Sequence, residues 1–139
     1  MADGAGAPVI LLVEDEAPNR ALLKAVLSRS RNESIRGARI VEATTLAEAR
    51  ACLTGEPFDI ILLDVRLPDG SGLDLARELR DRPAGRRPRV LVLSASVLPM
   101  ERTAAVEAGA DAFLPKPYDT AQLIDLLASL VDEGPRHTG

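Results

Sequence analysis

Three kinds of side chain in this sequence have types and positions suited to work on a phosphate group: carboxylates, a hydroxyl and an amine. Glu14-Asp15-Glu16 follows the apolar run VILLV, Asp64 ends IILLD, Ser94 ends VLVLS, and Lys116-Pro117 follows AFLP. Carboxylates brought together repel: two unit charges about 4 Å apart interact by roughly 4 kcal/mol at an effective dielectric of 20. A cluster of Glu14, Asp15 and Asp64 therefore asks for a cation. An all-oxygen donor set with few protein ligands suits Mg2+, which keeps several of its waters. A divalent ion there can bridge to phosphate oxygens, while Lys116 complements a second oxygen and Ser94 a third. Asp64, in the middle, is then a nucleophile able to form an aspartyl phosphate. Transfer through a loose transition state needs mainly positioning and charge neutralisation, which these groups offer.

That chemistry requires residues far apart in sequence to meet, so the elements between them matter. Val9–Val13 is a short continuous apolar run, suited to a strand buried on both faces. Similar runs follow at 39–43, 60–64, 90–94 and 112–114. Helical patterns alternate with them. Pro18 opens one carrying Leu22, Leu23, Val26 and Leu27 on its apolar face. Thr45-Leu-Ala-Glu48 reads as a capping box before Leu46, Ala49 and Leu53. Ser71 with Asp74 opens a third through Leu73, Ala76 and Leu79. Pro99 opens a fourth that stops at Gly109, and Asp119 with Gln122 opens a fifth carrying Leu123, Leu127 and Leu130. Five strand–helix units imply an α/β fold, a doubly wound parallel sheet with helices on both faces. Ligands on such sheets bind beyond the carboxyl ends of the strands, which is where the candidate residues fall.

Residues 8–131 are expected to form the one domain, with a disordered start (1–7) and a flexible polar tail (132–139) that holds His137. Ser28–Ala38 is long for a helix-to-strand connection and reads as an extra helical turn or an exposed loop. The arginines at 77, 80, 82, 86, 87 and 89 read as a solvated helix end and loop. A net charge of −4, a pI near 5.0 and 2% aromatic residues argue against nucleic-acid binding as the main activity. The one cysteine, Cys52, excludes an internal disulfide and a Cys-based zinc site, and reads as a core or half-buried residue. No apolar run reaches the roughly 18 residues of a membrane span, so a cytoplasmic location is expected. Each candidate also has a bland explanation. Glu14 and Asp15 can cap a helix, Asp64 can lead into the turn Pro68-Asp69-Gly70, Ser94 can end a strand and Lys116 can be a solvated charge. Their placement at four separate strand ends favours a common site.

The segments ILLVEDE (10–16), DIILLDVRLPDGSGLDLARELR (59–80), VLVLSAS (90–96) and GADAFLPKPY (109–118) resemble the receiver domains of two-component response regulators, over roughly residues 8–131. The intervals of 30 residues from Asp64 to Ser94 and 22 from Ser94 to Lys116 are those of receivers. The resemblance implies a flavodoxin-like sheet in the order 2-1-3-4-5 with five helices. It implies that Asp64 is the phospho-acceptor and that Asp15, Asp64 and the backbone carbonyl of Arg66 ligate Mg2+ (or Mn2+), with Glu14 acting through water. It implies that Lys116 pairs with a phosphoryl oxygen, that Ser94 and Phe113 form the switch, and that the Lys116–Pro117 bond is cis. Pro99 and the LPKPY run resemble receivers attached to hybrid sensor kinases.

The implied partners are a histidine kinase or histidine phosphotransfer protein as donor, and a target protein on the face of the fourth helix, fifth strand and fifth helix. The effect is expected to act in trans, as in a stand-alone regulator that catalyses only its own phosphotransfer and dephosphorylation, or else the chain is an excised receiver. The acidic pair is Glu-Asp where Asp-Asp is commoner, and the stretch from Asp15 to Asp64 exceeds the usual interval, an excess assigned to 28–38. The alternative is a pseudo-receiver that binds proteins without phosphorylation. A hydrolase with an aspartyl nucleophile would carry an acid where this chain has Arg66, and a flavin carrier would have a phosphate-cradling loop where it has three acids.

Overall fold

Five apolar segments pair side by side into one parallel sheet: β1 (Val9–Val13), β2 (Arg39–Ala43), β3 (Ile60–Asp64), β6 (Arg89–Ser94) and β7 (Ala112–Pro115), in the order β2-β1-β3-β6-β7. The structure is a computed structural model that describes residues 7–83, 87–95 and 98–133. The order is the expected one, 2-1-3-4-5, if the small pair β4 (Arg66–Leu67) and β5 (Gly70–Ser71) is set aside. Those two short strands pair antiparallel around the Pro68-Asp69 turn.

Alternation along the central strands divides the core in two. Leu11, Val13, Ile61, Leu63, Val90 and Val92 pack on one face under α3 (Leu46–Gly55), α4 (Gly72–Arg80) and α5 (Pro99–Glu107). Ile10, Leu12, Ile60, Leu62, Leu91 and Leu93 pack on the other under α1 (Ala17–Ser28), α2 (Glu33–Arg36) and α6 (Thr120–Glu133). The strands read as continuous apolar runs because both faces are covered. Cys52 is half-buried against the first of these clusters.

The start signals work as local chemistry predicts. Thr45 accepts the Glu48 N–H at 3.0 Å, while the Glu48 carboxylate reaches Thr44 at 2.7 Å, one residue short of a closed capping box. Ser71 accepts the Leu73 N–H and Asp119 the Ala121 N–H. Pro99 stands in the first turn of α5, and Gly109, with φ of 95°, turns the chain out past its end.

Three expectations are corrected. There are six described helices, not five: 28–38 contains α2, whose Asn32 side chain accepts the Ile35 N–H and whose Ile35 is buried. Of the two readings of 28–38, the extra helical turn is the one observed; a single turn is too short to show a helical period that would have separated it from a loop. Leu22 lies on the solvent side of α1, 55% exposed, because Leu23 and Leu27 alone face the sheet fully. And α6 runs through Asp132 and Glu133, which the sequence assigns to the tail. Residues 1–6 and 134–139, including His137, lie outside the described residues, as do Arg86 and Ser96.

Candidate functional site

Sheet register carries the expected residues to one edge. β1 pairs Val13 with Leu63 of β3, so Glu14 leaves its strand level with Asp64. β3 pairs Asp64 with Leu93, and β6 pairs Leu93 with Leu114, placing Ser94 one residue past the level of Asp64 and Lys116 two, just beyond the end of β7. Backbone bonds fix these ends: the Glu14 N–H donates to the Ala43 carbonyl (3.0 Å), Val65 to Leu93 (3.2 Å) and Lys116 to Ser94 (2.6 Å). The Lys116–Pro117 bond is cis, as the resemblance implies. On the far side of Asp64, the Gly72 N–H donates to the Val65 carbonyl at 2.7 Å, bringing the start of α4 against the end of β3.

Lys116 Nζ donates to Glu14 Oε1 and to Asp64 Oδ2, 3.2 Å from each. One carboxylate oxygen from each of Glu14, Asp15 and Asp64 lies within 4.8 Å of the others. Glu14 and Asp64 are buried, 1% and 8% exposed, whereas Asp15 is open to solvent. Burial alone would lower the Lys116 pKa. The charges of Asp64 and Glu14 outweigh it and hold the ammonium above its ordinary 10.5. Burial pushes the neighbouring Tyr118 phenol above 10.0. Three carboxylates facing one ammonium leave the edge negative, and every donor on it is an oxygen. That donor set fits a hard cation such as Mg2+.

The other expected residues take distinct positions. The Arg66 N–H reaches back to Asp64 Oδ1 at 3.4 Å, a long and weak contact. Ser94 is 1% exposed, and its hydroxyl donates to Glu101 on α5. Phe113 on β7 is half-buried, with the Arg102 guanidinium 5.4 Å from its ring centre.

Three contributors went unread in sequence. Glu101 looks there like an ordinary acid in a helix's first turn. Arg20 donates to the Glu14 carbonyl (3.0 Å) and pairs with Glu42, bracing the strand end behind the acids. Asp69 appears as a turn residue, yet its two oxygens accept the Leu46 and Ala47 N–H groups at 2.8 and 3.1 Å, capping α3 from outside that helix. Only long-range packing reveals these roles.

Residues 10–128 match the response regulator receiver domain family. The chain belongs to that family. This receiver domain is 41% identical over 121 residues to the response regulator protein PilR of Pseudomonas aeruginosa, covering 86% of this chain and 25% of PilR. It is 37% identical over 120 residues to protein PetR of Rhodobacter capsulatus, covering 86% of this chain and 47% of PetR. The chain thus spans about half or less of the length of these relatives. It superposes on the receiver domain of a sensor histidine kinase from Pseudomonas aeruginosa with a TM-score of 0.77 and 30% identity, covering 91% of this chain and 99% of that one. That structure has a magnesium ion coordinated in its active-site cleft. Receiver domains are signalling modules that work with histidine kinases or phosphotransfer proteins. No helix among the described residues is long and apolar enough to cross a membrane.

Proposed function

We propose that this receiver domain takes a phosphoryl group from a phosphohistidine onto Asp64 and thereby changes a protein-binding face. The observation that carries the reading is the bridging of Asp64 and Glu14 by Lys116 Nζ, with Asp15 within reach of both acids. An Asp64 carboxylate oxygen attacks phosphorus, an O–P bond forms, the P–N bond to the donor imidazole breaks, and the imidazole leaves with the bonding pair. Lys116 pairs with a phosphoryl oxygen, and the Ser94 hydroxyl turns to bond another. Asp15, Asp64 and the Arg66 carbonyl would hold Mg2+, with Glu14 acting through water; Mn2+ has the same preference for oxygen donors. The bound ion supplies neutralisation of the charge that gathers on the phosphoryl oxygens. Hydrolysis of the acyl phosphate then resets the domain.

The target face is α5, β7 and α6. Leu98, Met100 and Val106 are exposed along or beside α5, which supports a partner there.

The test is phosphotransfer profiling of wild type and Asp64→Ala against histidine kinases, with an acetyl-phosphate and beryllofluoride titration in Mg2+. Wild type labels and shifts its amide spectrum, and Asp64→Ala does neither. A wild type that stays unlabelled and unshifted overturns the reading in favour of phosphorylation-independent binding.

A further inference from the structure

We infer that Glu101 is a positioning residue for Ser94: in the unphosphorylated domain it holds the Ser94 hydroxyl toward α5 and makes its release a cost of phosphorylation. The inference rests on the proposed acceptor role of Asp64 and goes beyond it to how that site communicates with α5.

Ser94 ends β6 one residue past the level of Asp64, and its backbone carbonyl is fixed by the Lys116 N–H at 2.6 Å. Its backbone therefore has little freedom, and its hydroxyl moves by rotation about χ1. The Ser94 hydroxyl donates to the Glu101 carboxylate. A hydrogen bond to an ionised acceptor is stronger than a neutral one, and Ser94 is almost fully buried, where such bonds are screened least. To meet a phosphoryl oxygen on Asp64, Ser94 must give up this acceptor.

Glu101 does not act alone. Arg102, the next residue, lies over the Phe113 ring on β7 at 5.4 Å. One turn of α5 thus grips the sheet edge at two points, a hydroxyl on β6 and a ring on β7. Both grips are made to side chains that phosphorylation would move. Release of Glu101 frees the first turn of α5, so the phosphoryl group and any partner of that helix are linked through one two-state contact. The binding-competent state is populated only when the latch is open, and apparent affinity for a phosphoryl mimic falls by that fraction.

Beryllofluoride affinity in Mg2+, followed by amide shifts, tests this in a four-variant cycle. Glu101→Ala binds the mimic about tenfold more tightly than wild type, the effect of losing one charge-assisted hydrogen bond. Glu101→Gln keeps a neutral acceptor and falls between them. In a Ser94→Ala background, Glu101→Ala changes nothing further. Equal affinities for wild type and Glu101→Ala overturn the inference, as does an effect of the same size without Ser94. A second readout separates the latch from the acceptor reading. Without mimic, Glu101→Ala shifts the Ser94 and Phe113 amides; unmoved amides overturn the latch whatever the mimic does. Shifted amides in a protein whose wild type ignores beryllofluoride keep the latch and overturn the acceptor role of Asp64.

Discussion

Lys116 and Asp64, 52 residues apart, meet with Nζ 3.2 Å from Oδ2, and the same ammonium reaches Glu14 at the same distance. One cation is thereby shared between two buried acids. The arrangement leaves the second oxygen of Asp64 free of the lysine. It also places a donor beside the position where phosphoryl charge would develop.

Lys116→Ala removes that donor and leaves Glu14, Asp15 and Asp64 facing one another without a protein cation. Loss of one preorganised donor to developing charge costs about 10²–10³ in rate. The expected outcome is a loss of that order in Asp64 labelling by acetyl phosphate at saturating Mg2+, read by intact mass. Lys116→Arg, which keeps the charge but replaces the compact ammonium with a planar fork, recovers only part of it. Labelling of Lys116→Ala at the wild-type rate would show that the bridge is purely structural.

Asp69 gives a pH dependence with a definite sign. The Leu46 N–H, and after it the Ala47 N–H, hold its carboxyl below the ordinary 3.8. A carboxyl that releases its proton more readily when folded adds stability above its unfolded value. It loses that stability as pH falls through the lower folded value. Asp69→Asn should therefore lower Tm at pH 7 and flatten the acid limb below pH 3.8, with little change in the slope above it. Thermal melts across that range, followed by circular dichroism, check both parts; parallel wild-type and variant profiles would refute the cap.

The strands and the site residues on them were readable because their signals are local: an apolar run, then an acid, a hydroxyl or a lysine at its end. Parallel pairing does the rest, since Val13 opposite Leu63 and Asp64 opposite Leu93 align the ends that the sequence lists separately. What could not be read depends on contacts between elements. Asp69 caps a helix whose first N–H groups lie 22 and 23 residues before it, Glu101 of α5 meets Ser94 of β6, and Leu22 points outward because Leu23 and Leu27 are the α1 residues that bury fully against the sheet. The turn α2 stayed one of two readings for another reason: four residues cannot display a 3.6-residue period that would tell it from a loop.

Ile35 decides whether α2 belongs to the core or merely decorates the α1–β2 connection. It is 1% exposed and lies in the same cluster as Leu23, Leu27 and Leu130. Ile35→Ala removes buried methylenes and leaves a cavity, at a cost of about 2–5 kcal/mol. Ser34→Ala, one residue earlier and exposed, should stay within about 0.5 kcal/mol of wild type. Urea unfolding measures both. Similar midpoints for the two variants would make the insertion separable from the fold.

Gly72 ties the stability of α4 directly to the geometry of Asp64. A Cβ built on Gly72 would stand 2.1 Å from the Asp64 carbonyl oxygen and 3.1 Å from its carbonyl carbon. The obstacle is backbone, which cannot rotate aside like a flexible side chain. Gly72→Ala must therefore push α4 away from β3 or displace the Asp64 peptide. Either movement also strains the 2.7 Å bond from the Gly72 N–H to the Val65 carbonyl. Overpacking of this kind costs about 1–3 kcal/mol, and here part of the cost is expressed at the site. Gly72→Ala should both lower Tm and weaken Mg2+ binding, read as displaced Glu14, Asp15 and Asp64 amide shifts on titration. Gly55→Ala serves as the control, because a Cβ at Gly55 meets nothing within 4 Å. It should leave Mg2+ affinity unchanged. A Gly72→Ala variant that melts lower yet binds Mg2+ like wild type would mean that α4 yields and the Asp64 peptide does not.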